Sequence, residues 1–195
     1  RDAQESRGLG DVYKRQNSND RDFNVGAAGT TMRFLTAFLS KVVGEWTITG
    51  TERMKNRPIK VLVDALNALG ARIEYMEKEG YPPLRIFGSA LQGGEISLPG
   101  NVSSQYISAI LMIAPLTENG VTLHLEGAII SRPYIHITLQ LMEQYGVRAS
   151  WTENTIKVLP QEYKPIRFTV ESDWSAASYW YEICLLYTSP SPRDS

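Results

Sequence analysis

The chain has 195 residues, 43% of them apolar, and its 20 Lys and Arg nearly balance its 21 Asp and Glu. This composition supports a buried core and excludes a disordered chain, and the near-neutral charge disfavours nucleic acid or an anionic membrane as partner. One cysteine and two histidines leave no internal disulfide or credible zinc site, and no apolar run is membrane-spanning, so we expect a cytoplasmic protein with a small-molecule partner.

The two ends of the chain are related to each other at the level of DNA. Residues 11–16 can be encoded by a segment whose reverse complement, shifted by one base, encodes residues 184–188, and the relation extends outward at both ends. The segment resembles a transposase-type sequencing adapter translated in both directions, which has to be set aside before fold reasoning. We therefore expect non-native tails at residues 1–16 and 184–195, around a native segment at residues 17–183.

Hydrophobic periodicity predicts alternating helices and strands in the first half of the native segment. Pro58 is expected at the first position of a helix, where the missing N–H removes no hydrogen bond, and Gly70 is expected to end that helix. In chain order, the predicted elements are a helix at 30–39, a strand at 45–49, a helix at 58–69, and strands at 72–75, 84–87 and 95–98.

The same order then starts again. Residues 100–111 match residues 26–37 in their leading glycine, small polar triplet and apolar helix, and Arg132-Pro133 matches Arg57-Pro58 before a second amphipathic helix. Repeats of about seventy residues, each with two helices and several short strands, predict an α/β fold with internal pseudo-symmetry. The remaining predictions are a buried stripe of Ile135, Leu139, Leu141 and Met142, strands at 148–151, 155–159 and 167–170, and a third copy from residue 171.

Each copy places a glycine or small polar loop directly before a helix, at residues 26–31, 100–105 and 172–175. Helix N-termini expose unpaired N–H groups and the positive end of the helix dipole, so such loops bind anions, although capping alone explains any single loop. Three such loops, together with Arg57 and Arg132 at the starts of other helices, favour a site for phosphate or carboxylate groups, which a guanidinium matches bidentately.

Three basic residues, Arg53, Lys55 and Arg57, share one short polar loop. A solvated surface loop is the simplest interpretation of such a charge run, but an arginine beside a proline that fixes the backbone is better positioned than most. His124 and His136 are interpreted as structural, and no carboxylate pair has a spacing suited to acid–base chemistry.

Five segments of the chain carry a recognisable pattern. They begin Gly26-Ala-Ala-Gly-Thr-Thr-Met-Arg, Gly50-Thr-Glu-Arg-Met-Lys-Asn-Arg-Pro, Val102-Ser-Ser-Gln-Tyr, Ser131-Arg-Pro-Tyr and Ser175-Ala-Ala-Ser-Tyr. Together they resemble the EPSP synthase family of 3-phosphoshikimate 1-carboxyvinyltransferases, and they occur in the family's order, with suitable spacing, along nearly all of the native segment. The resemblance implies two domains, each of three βαβαββ units, and this chain would supply most of the first domain.

The family transfers the enolpyruvyl group of phosphoenolpyruvate to the 5-hydroxyl of shikimate 3-phosphate, through a tetrahedral intermediate and without metal or organic cofactor. The resemblance implies that Gly29 and Arg57 hold phosphoenolpyruvate, that Gln105 lies between the two substrates, and that Thr30 and Arg53 lie nearby. The residues expected around shikimate 3-phosphate are Ser103, Ser104, Ser131 and Tyr134.

Two departures from the family pattern bear on activity. Ala27 stands where asparagine is usual, so one polar contact of that loop is missing or replaced. The lysine, serine and arginine of the family's first strand and loop have no match before Asn17, and the proton-transfer residues of the second domain are absent. We therefore expect no catalytic residue here, weak binding and no turnover, with the missing second domain as the partner of this chain in a monomeric enzyme.

Two other interpretations stay open at this point. One is the enolpyruvyltransferase that acts on UDP-N-acetylglucosamine, which shares the fold but has a reactive cysteine loop and differs at the Ser-Ser-Gln and Ser-x-Pro-Tyr positions. The other is a non-catalytic binding domain, such as a relative of RNA-end-processing proteins. The mildly acidic native segment, without interleaved aromatic and basic residues, disfavours RNA.

Overall fold

The computed structural model describes residues 21–169, so the expected tails and third copy lie outside the described residues. Residues 21–164 belong to one compact unit and residues 165–169 to a second. The first repeat comprises β1 (Asp22–Asn24), α1 (Gly29–Lys41), β2 (Gly44–Thr49), α2 (Glu52–Lys55), α3 (Lys60–Ala68), β3 (Arg72–Tyr75) and β4 (Leu84–Gly88). The second comprises β5 (Gly94–Pro99), α4 (Ser104–Ile113), a 3-10 turn (Ala114–Leu116), β6 (Val121–Glu126), α5 (Arg132–Gln144), β7 (Ala149–Thr152) and β8 (Thr155–Val158).

The two repeats have the same sheet topology. In the first sheet, ordered β1-β2-β4-β3, β1 and β2 are parallel and β4 runs antiparallel to both of its neighbours. The second sheet is ordered β5-β6-β8-β7 and shows the same directions strand by strand. Because parallel neighbours need a crossover, a helix joins each parallel pair. The expected α/β fold of repeated βαβαββ units is confirmed.

Each sheet buries one face, and helices cover that face. Strand β6 alternates buried and partly exposed residues, which is the period of a half-buried strand. Helix α4 packs against α1, α3 and α5, and its side chains are buried almost all round. The two repeats therefore share one core centred on α4. Within residues 21–169, no helix has both the length and the apolar composition needed to cross a bilayer.

The structure corrects several sequence predictions. Helix α3 begins at Lys60 rather than Pro58, because the N–H of Ile59 donates to the carbonyl of Gly80 at 2.9 Å and Ile59 is not helical (φ −134°). The predicted strand at 167–170 is absent from its described part, because residues 167–169 have no strand conformation. Leu141, predicted to be buried, is 38% exposed on the outer face of α5. The sequence pattern missed β1 and α2, which are too short to show a period.

Candidate anion-binding site

In the first repeat, two loops leave the carboxyl ends of the parallel strands side by side. Asn24 at the end of β1 is paired with Thr49 at the end of β2, and the N–H of Thr51 donates to the carbonyl of Gly26 at 3.0 Å. A Cβ at Gly50 would lie 2.5 Å from that same carbonyl oxygen, so glycine allows the two loops to meet. Ligands of open α/β sheets bind in the crevice outside such strand ends.

The second repeat places its polar residues at the equivalent strand ends. Strands β5 and β6 end together at Pro99 and Glu126, and the N–H of Ile130 donates to the carbonyl of Gly100 at 3.4 Å. This contact brings the turn before α5 against the turn before α4. The predicted site residues on these turns are Ser103, the N-cap of α4, Ser104 and Gln105 in its first turn, and Ser131, the N-cap of α5.

Two guanidinium groups converge on Gly29 at the start of α1. A Cβ added at Gly29 would lie 2.7 Å from Nη1 of Arg33 and closer still to Nη1 of Arg57. Nη1 of Arg33 also donates to the carbonyl of Gly29 at 2.7 Å. Like charges this close repel each other, and an anion bound between them would remove the repulsion. The absence of a side chain at Gly29 leaves room for both guanidinium groups.

Arg33 lies at the centre of this site, although no sequence pattern predicted it as a site residue. Arg33 is only 7% exposed, and its Nε is buried with no hydrogen-bond partner among residues 21–169. An arginine inside a predicted helix is usually interpreted as a surface residue, so composition alone gave no reason to select it. The available signal was its spacing of four residues from Gly29, which aligns the two on one face of α1.

The neighbouring charges leave Arg57 available to a ligand. Lys55 forms ion pairs with Glu77 at 2.9 Å and Glu52 at 3.5 Å, and the hydrogen bond that Lys55 donates to Glu77 raises the pKa of Lys55 above its usual value. Among residues 21–169, the guanidinium groups of Arg53 and Arg57 form no hydrogen bond or ion pair. Arg57 lies against Gly29, whereas the exposed Arg53 forms no hydrogen bond or ion pair with the other predicted site residues within the described range.

Side chains from the two repeats join at this point. Nε2 of Gln105 donates to Oγ1 of Thr30 at 2.9 Å, which links the first turns of α4 and α1. The hydroxyl of Tyr106 donates to the carbonyl of Pro58 at 2.7 Å, which links α4 to the loop that carries Arg57. Of the predicted site residues, the structure therefore brings Gly29, Thr30, Arg57 and Gln105 together, and Ser103 and Ser104 follow because they adjoin Gln105.

The other predicted residues lie further along the same edge. Ser131 precedes α5, and Tyr134 in its first turn is 65% exposed, with a ring that contacts no other aromatic or charged group in residues 21–169. Arg132 stands at the position equivalent to Arg57, but its Nη2 donates to Oδ1 of Asn154 at 3.3 Å and its guanidinium lies over the ring of Trp151. Of the two arginines at equivalent positions, therefore, only Arg57 has a guanidinium without a hydrogen-bond partner or ring contact in residues 21–169.

The arrangement can bind and orient anions, but it supplies no group for proton transfer. Within residues 21–169, no carboxylate or imidazole contacts Arg33, Arg57 or Gln105, and no cluster of three His, Cys, Asp or Glu side chains is suited to a metal ion. A groove of about 400 Å³ lies between α3 and β5, and none of the predicted site residues lines it.

Comparison with known proteins identifies relatives of this architecture. A family described as EPSP synthase (3-phosphoshikimate 1-carboxyvinyltransferase) matches residues 2–187. The 3-phosphoshikimate 1-carboxyvinyltransferase of Bacteroides fragilis is 64% identical over 161 residues, and that of Vibrio cholerae is 45% identical over 179 residues. These matches cover 82% and 90% of this chain, but only 39% and 42% of the relatives. The EPSP synthase structure from Acinetobacter baumannii matches with a TM-score of 0.69 and 25% identity, over 80% of this chain and 35% of that one.

Proposed function

Because this chain belongs to the EPSP synthase family, we propose that it is part of an enzyme that transfers the enolpyruvyl group of phosphoenolpyruvate to shikimate 3-phosphate. The observation that carries the proposal is the convergence of Arg33 and Arg57 on Gly29, at a helix N-terminus linked by Gln105 to the second repeat. Both substrates are polyanions, and paired guanidinium groups beside unpaired helix N–H groups suit phosphate and carboxylate.

The first repeat would hold phosphoenolpyruvate. The N–H groups in the first turn of α1 have no intrahelical acceptor, so they and the guanidinium of Arg57 can donate to one phosphate. In the reaction, the 5-hydroxyl of shikimate 3-phosphate gives up its proton as its oxygen adds to C2 of phosphoenolpyruvate, while C3 takes up a proton. Phosphate then leaves from C2 as C3 gives up a proton, and Arg57 would stabilise the negative charge that the departing phosphate carries.

The second repeat would hold shikimate 3-phosphate. Ser103, Ser104 and Ser131 lie on adjacent turns, where hydroxyl and backbone N–H donors suit a phosphate, and Tyr134 lies one helical turn beyond. Gln105 lies at the junction with Thr30 and would contact both substrates. This division is supported by the equivalent positions of the two sets of turns in the two repeats.

We propose that the native segment, residues 17–183, forms most of the first domain, and that the second domain supplies the proton-transfer groups. The chain spans 39% and 42% of the length of the curated relatives it matches, which supports the assignment of the proton-transfer groups to a second domain. The tails at 1–16 and 184–195, the cytoplasmic location, the monomeric state and the independence from metal and cofactor stay predictions from the sequence.

Calorimetric titration of this chain with each substrate, followed by an assay for released phosphate, tests the proposal. We expect weak binding of phosphoenolpyruvate and of shikimate 3-phosphate, and no phosphate release from the mixture. Failure of both ligands to bind would refute the assigned site, and turnover by this chain would refute the assignment of proton transfer to a second domain. Binding of UDP-N-acetylglucosamine in place of shikimate 3-phosphate would favour the alternative enolpyruvyltransferase.

The role of Arg57 is tested by Arg57→Ala, with Arg53→Ala as the matched control from the same loop. Loss of a charge-assisted hydrogen bond costs about 1.5–3 kcal/mol, so Arg57→Ala should weaken phosphoenolpyruvate binding about 10- to 150-fold. Arg53 is exposed and forms no hydrogen bond or ion pair with the other predicted site residues in the described range, so its replacement should change the dissociation constant little. Equal effects of the two substitutions would show that only the overall charge of the loop matters.

A further inference from the structure

One tyrosine, Tyr106, contacts both the loop that carries Arg57 and the side chain of Arg33. Tyr106 is the third residue of α4 and is only 9% exposed. Its hydroxyl donates to the carbonyl of Pro58, the residue directly after Arg57, at 2.7 Å. Since this hydrogen bond joins residues 48 positions apart, it attaches the Arg57 loop of the first repeat to the central helix of the second.

The ring of the same tyrosine holds the second arginine. The Cζ atom of Arg33 lies 5.0 Å from the centre of the Tyr106 ring, within the range of a cation–π interaction. Burying a guanidinium is costly unless it is compensated, and in residues 21–169 Arg33 has one other polar contact, the carbonyl of Gly29. The ring of Tyr106 therefore helps to retain Arg33 beneath the start of α1.

We propose that Tyr106 is a positioning residue of the anion site, an inference that rests on the proposed function for the identity of the ligand. The hydroxyl fixes the backbone that follows Arg57, and the ring holds Arg33 against Gly29. Tyr106 itself contacts no substrate in this scheme. The substitution Tyr106→Phe would keep the ring and remove only the attachment of the Arg57 loop. The effect of the hydroxyl can therefore be measured separately from that of the ring.

The chain offers a matched control for the hydroxyl. Tyr163 donates its hydroxyl to the carbonyl of Met112 at 2.8 Å, at the opposite end of α4. Tyr163→Phe therefore removes the same type of hydrogen bond from the same helix without touching the Arg57 loop. If Tyr106 were only a core residue, Tyr106→Phe and Tyr163→Phe would lower the melting temperature and leave anion affinity and loop order unchanged.

The first measurement is titration of the full chain with inorganic phosphate. Loss of one hydrogen bond of ordinary strength should weaken phosphate binding by Tyr106→Phe roughly fivefold, since the loop that carries Arg57 loses its attachment. Tyr163→Phe should bind phosphate as the unaltered chain does. Equal affinity in the unaltered chain and Tyr106→Phe, or equal losses in the two variants, would overturn the inference.

The second measurement needs no bound anion and so separates this inference from the proposed function. Amide hydrogen exchange by NMR reports the order of the Arg57 loop, in which the N–H of Arg57 donates to the carbonyl of Met54 at 3.0 Å. Exchange at Arg57 should accelerate in Tyr106→Phe and not in Tyr163→Phe, and unchanged exchange in Tyr106→Phe would overturn the inference. If the unaltered chain binds neither inorganic phosphate nor the two substrates, the proposed function fails, and the exchange comparison still decides the role of Tyr106.

The side-chain Nε–Hε resonance of Arg33 tests the role of the ring. It should keep its ring-shifted position in Tyr106→Phe and move towards the position of an exposed arginine in Tyr106→Leu. An Arg33 resonance that is the same in Tyr106→Leu as in the unaltered chain would show that the ring does not hold the guanidinium.

Discussion

Adding one methyl group at Gly29 should disable the candidate site without unfolding the chain. The new Cβ would lie 2.7 Å from Nη1 of Arg33 and 2.9 Å from Cζ of Arg57, whereas ordinary contact begins at 3.4 Å. Each guanidinium would therefore have to retreat by at least about half an ångström. The exposed end of Arg57 can move away, but Arg33 is buried and bonded to the Gly29 carbonyl, so the displacement falls mainly on Arg57.

Displacement of Arg57 should weaken phosphoenolpyruvate binding by the value of one charge-assisted hydrogen bond, about 1.5–3 kcal/mol or 10- to 150-fold. Stability should change by less than about 1 kcal/mol. Gly29 is the first residue of α1 and its φ is not positive, so alanine gains helix propensity that offsets the local strain.

The assay is calorimetric titration of Gly29→Ala with phosphoenolpyruvate, together with thermal unfolding to measure stability. The control is Gly29→Ala combined with Arg57→Ala. If the methyl group acts by displacing Arg57, its effect on affinity should nearly disappear once Arg57 is gone, which is a non-additive cycle. Unchanged affinity in Gly29→Ala, or fully additive losses in the double variant, would refute the reasoning.

Three further predictions concern the fold. Burial raises the pKa of Tyr163 to about 12, so Tyr163 ionises at lower pH in the unfolded chain than in the folded one, and its contribution to stability is lost between about pH 10 and 12. In Tyr163→Phe, the free energy of unfolding should therefore fall less steeply with pH over that range. An unchanged slope would contradict this. Leu123→Ala should cost about 2–5 kcal/mol in denaturant unfolding because Leu123 is fully buried, whereas Ile137→Ala, at a residue 58% exposed, should cost far less, and equal costs would contradict the assigned core. Gly88→Ala should unfold the chain or destabilise it by at least about 1–3 kcal/mol, because the new methyl group would collide with the backbone carbonyl of Val42, and a Gly88→Ala variant of unchanged melting temperature would contradict that packing.

Local signals in the sequence predicted most of the elements. Helix α1, at Gly29–Lys41, was predicted at 30–39 because it has a clear period of buried residues. Strand β3, at Arg72–Tyr75, was predicted with the same bounds because turn residues separate it from the next strand. Helix α3 was placed two residues early because Ile59 is held by Gly80, a contact 21 positions away that no local rule contains. Strand β1 was missed because it is three residues long and exists by pairing with β2.

The residues of the candidate site also divide into those that local sequence signals predicted and those that they did not. Gly29 at the start of α1 and Arg57 before Pro58 were selected because helix starts and guanidinium groups bind anions, whatever their surroundings. Arg33 was not selected, since its role depends on its burial beneath Gly29 and on the ring of Tyr106 above it. A residue whose function comes from its neighbours across the core has no signature in its own segment.

The amino-acid sequence by itself determined the repeat, the α/β class and the polar turns at the helix starts, because hydrophobic period and loop composition act over a few residues. Only the tertiary structure decided that those turns meet. Gln105 reaches Thr30 across 75 positions and Tyr106 reaches Pro58 across 48, because α4 packs against α1 and places the starts of both helices at one edge. Contacts of that range depend on burial of the shared core, which fixes where distant segments lie and which arginine is left without a counterion.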